Sequence, residues 1–271
     1  MLNLGECYTN NTRIFLIEEE NGFRLRKKAI EPRIFRKHFN HAEFIGEELC
    51  HIRHLNCVHY FLIGEGCYNI RFEVPYKAAY KNGYRIRLGS IDFRDRRQYD
   101  YFHITDSCLG GVGDHLESIL DLTPTEKNRV ELLDEIEEMF ALDTFMGQTD
   151  RYGENVYFAR NKKTGEIHLA PLFDFEYSLK STNMNRDLIY GNDLHSFRNE
   201  EDYIEFIQEH PEFADKLRSY LDVDLLEIIE RSYRSRGLRL PEHTIPFYLS
   251  FEEERKEFIR RITEEQKKRT K

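Results

Sequence analysis

The sequence predicts an α+β fold in two unequal parts, a small β-rich lobe with one helix and then a larger helical lobe. Three observations predict it. Up to about residue 95, short apolar or alternating runs are separated by turn dipeptides. Beyond that point apolar residues recur at helical spacing over long stretches. Between 147 and 175 this helical pattern is broken by a polar loop and two short apolar runs, the second ending in an aspartate.

The elements follow in order. Ile14-Phe15-Leu16-Ile17 is a short apolar strand, and Asn21-Gly22 is a turn signal. Phe23-Arg24-Leu25-Arg26-Lys27 alternates apolar and basic residues, as a half-buried strand does, so the two runs read as a hairpin. Phe44, Ile45, Leu49, Ile52 and Leu55 predict a helix over 40–55. Further strands are expected at 58–63, 68–74 and 84–88, with Asn82-Gly83 as a turn before the last. Helices take over from about 95. Asp114 with Glu117 reads as a capping pair for a short helix. Residues 124–145 form a long amphipathic helix, with Val130, Leu133, Ile136 (or Glu137), Phe140 and Phe145 on or near one face. A second hairpin pairs 156–159 with 167–169 around Lys163-Thr164-Gly165. Helices fill much of 200–233 and 250–268, and Pro241 and Pro246 punctuate the connection. The division expected is an N-lobe over 1–95 and a C-lobe over 96–271.

Composition narrows the function classes. Apolar residues make up 40% and charged residues 33%, a soluble, globular balance. No run approaches ~18 apolar residues, so no membrane span is expected, and the N-terminal residues carry no secretory pattern. A net charge of −9 argues against direct nucleic-acid binding or attachment to an anionic membrane. Cys7, Cys50, Cys57, Cys67 and Cys108 are odd in number and form no Cys-x-x-Cys pair, which fits reduced thiols in a cytoplasmic protein. The acidic runs 131–138 and 200–212 read as solvated helix faces.

The chemistry lies in Gly147-Gln148-Thr149-Asp150-Arg151-Tyr152-Gly153-Glu154-Asn155 and in Pro171-Leu172-Phe173-Asp174-Phe175. An Asp, an Asn five residues on, a hairpin and another Asp make up the catalytic half of a kinase-type phosphoryl-transfer site. Asp150 can orient the attacking hydroxyl and accept its proton. Asn155 and Asp174 can hold magnesium against ATP phosphates. A lone Asp between bulky apolar residues is costly unless it is paired or metal-bound, which singles out Asp174. Such a site needs a lysine for the α- and β-phosphates and a glutamate to orient it. Lys27 shares the strand face of Phe23 and Leu25, and a one-residue shift exchanges it for Lys28. Glu43, then Glu47, one turn apart on the helix, are the glutamates to pair with it.

These residues resemble the HipA-like kinase family, bacterial Ser/Thr kinases of toxin–antitoxin systems and their stand-alone relatives. The resemblance covers residues 140–178, with the strand–helix–strand order of 10–75 agreeing more loosely. It implies a bilobal, protein-kinase-like fold, ATP and Mg2+ as cofactors, and a protein Ser or Thr as acceptor. It also implies an operon-encoded regulator as a partner. By match, Asp150 is the catalytic Asp and Asn155 and Asp174 are the magnesium ligands. Tyr152 replaces the family's usual His, and the chain is shorter than a full-length member. The phosphatidylinositol 3- and 4-kinases look similar over the same stretch. Here, however, Leu169-Ala170-Pro171 follows His168 and no Gly follows Phe175, which favours the HipA-like assignment.

Some features fall outside this pattern. There is no Gly-x-Gly-x-x-Gly or Walker-type loop, and Gly110-Gly111-Val112-Gly113 reads as a flexible loop before a helix. Cys50, His51, His54, Cys57 and His59 match no standard zinc spacing. The missing glycine loop keeps a pseudokinase-type nucleotide-binding module as an alternative, beside a small-molecule or lipid kinase.

Overall fold

The computed structural model describes residues 2–9, 12–19, 22–29, 39–57, 61–63, 71–76, 98–103, 115–148, 151, 155–175, 178–179, 190–191, 194–197, 199–237 and 239–269, several of the strands by backbone course alone. The expected strand at 84–88, Gly110–Gly113, Asp114 and Asp150 lie outside them.

Five strands form one antiparallel sheet. They are β1 (Leu2–Thr9), β2 (Thr12–Glu19), β3 (Gly22–Ala29), β4 (Phe61–Ile63) and β5 (Arg71–Tyr76), in the order β1-β2-β3-β5-β4. The expected hairpin is β2–β3, with Glu19 opposite Gly22. Strand β1 was not expected. It pairs with β2 through a register shift between Asn3 and Gly5, and its run of mixed polar residues shows no alternation.

Helix α1 (Phe39–Ile52) follows β3. It stops three residues short of the expected Leu55 for a visible reason. His54 takes φ 57°, its N–H donates to His51 C=O, and Leu55 N–H donates to Cys50 C=O at 2.9 Å. That is a Schellman closure, with a left-handed residue ending the helix.

After residue 95 the helical expectation needs one correction, because Tyr99–His103 is a strand, β6. It pairs with β7 (Tyr157–Asn161), which pairs with β8 (Ile167–Leu169), so the expected second hairpin is part of a three-stranded antiparallel sheet. The short helix α2 (Leu116–Leu120) is present, with His115 at its N-cap and no side-chain cap. Helix α3 (Glu126–Met146) starts at Thr125, whose hydroxyl accepts from Asn128 N–H. It ends at Gly147, φ 61°, where Gln148 N–H closes onto Asp143 C=O. Its expected apolar face is only partly right. Val130 is 57% exposed, and the buried stripe runs through Asn128, Leu132, Ile136, Met139 and Phe140. From Met139 to Met146 every residue is buried, so the second half shows no one-sided pattern to read.

The remaining helices are α4 (Glu200–Glu209), α5 (Pro211–Ser219), α6 (Leu225–Ser235) and α7 (Ile245–Arg269), with 3-10 turns at Tyr220–Asp222 and Glu242–Thr244. Short strands β9 (Tyr190–Gly191) and β10 (Ser196–Phe197) pair ahead of them. Helix α7 begins before the expected 250 because Pro246, in its first turn, gives up an N–H with no intrahelical partner. Phe140, Phe197, Phe206 and Phe213 meet mostly edge-to-face at the centre of this part.

The acidic run on α3 is not simply a solvated face. Asn128 and Glu135 of α3 hold the outer edge of β8. Asn128 donates to Ile167 C=O and accepts its N–H, both at 2.8 Å, and Glu135 accepts from Leu169 N–H and meets His168 Nδ1 at 3.0 Å. Glu137 is buried against His210 and Lys216. Glu138 receives Arg53 through two bonds and the Tyr220 hydroxyl. These acids are spent on packing α3 against its neighbours, which a run of charges cannot announce. Among the described residues, no helix is long and apolar enough to cross a membrane.

Candidate active site

The β7–β8 hairpin carries both Asn155 and Asp174 at its open end. Asn155 stands two residues before β7, and Ala170, just after β8, donates to Tyr157 C=O at 2.9 Å. The Phe173 ring lies against that of Tyr157, centroids 6.1 Å apart, so the chain leaving β8 stays beside the chain entering β7. Leu172 N–H donates to Asn56 C=O, and Cys57 bridges Leu172, which ties this leg to the end of α1.

Residues 173–175 are then held from three directions. Glu43 on α1 is 1% exposed, and its Oε2 accepts the Phe175 N–H at 2.8 Å. Gln148, just after α3, donates from Nε2 to Asp174 C=O at 2.8 Å. Arg151 donates from Nη1 to Phe173 C=O at 2.5 Å, and its guanidinium lies 4.8 Å from the Phe175 ring centre. Asp174 itself has φ 60°, a left-handed conformation that Asp tolerates better than most residues. Gly46 on α1 lets the helix approach, since a Cβ there would overlap the Phe175 ring.

Arg151 is fully buried and forms a fork on Asp143 of α3, Nε to Oδ2 at 3.0 Å and Nη2 to Oδ1 at 2.8 Å. It therefore fixes the residue after Asp150 to the helix before it and to the loop bearing Asp174. Sequence reasoning missed Asp143 and Gln148. A lone Asp in the last turn of a helix carries no motif, and only the fold shows it opposite Arg151.

The glutamates separate cleanly. Glu43 turns to the Asp174 loop, while Glu47 pairs with Arg236 at 2.9 Å, and Arg236 stacks 4.3 Å from the Phe44 ring centre. In the five-stranded sheet, Lys27 is in register with Ile14, Phe72 and, through Phe72, Leu62. Lys28 is in register with Arg13 and Arg71. The side chain of Lys27 and all of Asp150 lie outside the described residues. Neither Cys50 nor Cys57 is in a disulfide. Burial beside Cys50 pushes the Cys57 thiol well above its usual range.

No protein-family model matches the chain, and no curated protein matches it by sequence. Solved structures do. A proinflammatory kinase of Helicobacter pylori, CtkA, superposes with a TM-score of 0.59 over 96% of this chain and 92% of its own, at 15% identity. HipA of Shewanella oneidensis MR-1, solved with HipB and operator DNA of its toxin–antitoxin system, superposes with a TM-score of 0.59 over 94% of this chain, at 12% identity. The chain spans 64% of that HipA's length. Taken with the helix–loop–hairpin that joins residues 143, 151 and 173, these superpositions give this chain the fold of the HipA-like kinases.

Proposed function

We propose that the chain is an ATP- and magnesium-dependent kinase that phosphorylates a protein Ser or Thr. The observation that carries this is the convergence of Glu43, Gln148 and Arg151 on residues 173–175, which fixes the Asp174 backbone on the leg leaving the hairpin whose other leg carries Asn155. A structural carboxylate does not need its backbone fixed from three elements. A metal ligand does, because affinity depends on pre-organised geometry.

In this reading Asp150 orients the acceptor hydroxyl and takes its proton as the oxygen bonds to the γ-phosphorus and ADP leaves. Asn155 and Asp174 hold Mg2+. Both offer hard oxygen atoms, and magnesium keeps phosphate and water oxygens as its other ligands, so one amide and one carboxylate suit it. When bound, the ion supplies charge neutralisation at the phosphates. Lys27 meets the α- and β-phosphates. Its register with apolar neighbours supports it over Lys28, which is in register with arginines. Glu43 keeps one oxygen on Phe175 and orients Lys27 with the other. The division into an N-lobe over 1–95 and a C-lobe over 96–271, and a cytoplasmic setting, belong to the same proposal. So does an operon-encoded regulator, the kind of partner that HipB is in the HipA complex. At −9 the chain itself is proposed to touch neither nucleic acid nor membrane.

The test is calorimetric titration with ATP and magnesium, with Asp174→Ala as control. Magnesium-dependent binding in the wild type, lost in the variant, is the expected result. No binding at millimolar ATP would sink the proposal. Binding without phosphate transfer to any protein, itself included, would instead identify the pseudokinase alternative, which the missing glycine loop favours.

A further inference from the structure

Arg255, on α7, lies against Gly147, and a Cβ built on that glycine would meet its Nη2 at 2.7 Å and its Cζ and Nε at 3.2 Å. The residue is half-buried and its Nε is sealed from solvent without a hydrogen-bond partner. Among the described residues no acceptor or carboxylate reaches its guanidinium. Its guanidinium carbon lies 5.6 Å from the Phe251 ring centre, and the negative charge it feels is that of Glu254, the residue before it. Burial strips water from the group and lowers its pKa from the usual range. Arg151, Arg53 and Arg236, by contrast, are each forked or doubly bonded to carboxylates.

A second unpaired group belongs to the segment bonded to Met146. The Ser178 hydroxyl is buried without a partner. The next residue, Leu179, donates its N–H to Met146 C=O at 2.8 Å and takes φ 57°, a strained conformation for leucine. Arg255 and the 178–179 segment thus flank Met146–Gly147, three residues ahead of Asp150. Unpaired buried polar groups and backbone strain gathered at one place mark a site rather than a packing solution.

We infer that Arg255 is an anion-binding residue, taking a planar or tetrahedral oxyanion, a carboxylate or a phosphate group, carried by a molecule that reaches its terminal guanidinium nitrogens from the solvent side. A guanidinium with open donors suits such a group bidentately. Its assignment to the phosphoacceptor, an acidic or phosphorylated residue near the target hydroxyl, rests on the kinase reading. The anion site does not.

The experiment is thermal unfolding of the full chain at fixed ionic strength in chloride, inorganic phosphate or N-acetylglutamate. The variants are Arg255→Met, of similar length without charge, and Asp174→Ala. An orphan buried charge destabilises the free protein, so in chloride Arg255→Met is expected to melt about 2–4 °C above wild type for each kcal/mol relieved. Phosphate, or N-acetylglutamate if the ligand is a carboxylate, is expected to raise the melting point of wild type and of Asp174→Ala but not of Arg255→Met. The inference is overturned if Arg255→Met is less stable than wild type or fails to fold, or if neither anion stabilises wild type. It is also overturned if Asp174→Ala abolishes the response, which would place the anion at the nucleotide site. Failure of the kinase reading shows separately, as absent magnesium-dependent ATP binding with the Arg255 response intact.

Discussion

At Gly46 a hydrogen atom decides whether two elements can meet. The helix α1 backbone presses on the Phe175 ring there, and no side chain fits between them. Gly46→Ala is expected to push the ring and the Asp174 peptide away. Overpacking of this kind costs about 1–3 kcal/mol. Urea unfolding gives that cost, and a loss of magnesium-dependent ATP binding larger than the loss of stability would show that the loop has moved. At the residue scale a motif can name candidates and no more. Residue type and spacing single out Asn155, Asp174 and Glu43, whose chemistry is the proposal above, and the bond from Phe175 N–H to Glu43 was not among the expectations. Arg151's partner Asp143 and the second role of Gln148 were not legible, because contacts between residues 8 or 26 positions apart have no period in a sequence. Arg255 lay on a helix that reads as charged and solvated, and nothing local sets it apart from its exposed neighbours.

At the scale of elements, α1 is bound to the helices that follow it. It packs on α6 and α3, and Arg236, at the end of α6, clasps Glu47 and Glu48 while covering Phe44. Arg53 adds a second clasp onto Glu138. Removing one partner of a buried pair leaves the other charge stranded, at a cost of about 3 kcal/mol. Arg236→Ala is expected to lose amide-exchange protection over 42–52 while α4 and α5 keep theirs. Uniform loss over all helices would mean that the clasp serves the whole fold and not α1 alone. The helix and its end-point illustrate what sequence can tell. Apolar spacing located α1, but Leu55 also fits that spacing, and only the left-handed turn at His54 ends the helix earlier. The strand Tyr99–His103 was missed because its residues alternate weakly and its partners lie more than fifty positions on.

For the molecule as a whole, one titration bears on stability. Glu135 raises the pKa of His168 through a hydrogen bond, opposed by burial. A histidine with a raised folded pKa contributes stability that is fully present below its unfolded pKa of about 6.5 and is lost as pH rises through the folded value. The stability gap between wild type and His168→Gln is therefore expected to be widest in mild acid and to narrow toward pH 8. Chemical unfolding at several pH values measures it, and a gap independent of pH would mean that folding leaves the His168 pKa unchanged. The mixture of strands early in the chain and helices later was legible because it rests on a change of period along the chain. The connection of α1 to the later helices was not, since a boundary drawn at residue 95 follows sequence order and these contacts run across it.

Asn128 and Glu135 do more than anchor a helix to a strand. They occupy the peptide groups of Ile167 and Leu169 that β8 would otherwise present to a neighbour. The three-stranded sheet is therefore stopped on that side by side chains. A strand from another molecule can add there only by first prising the opening turns of α3 away. The hairpin that carries Asn155 and Asp174 is in this way kept from templating its own aggregation.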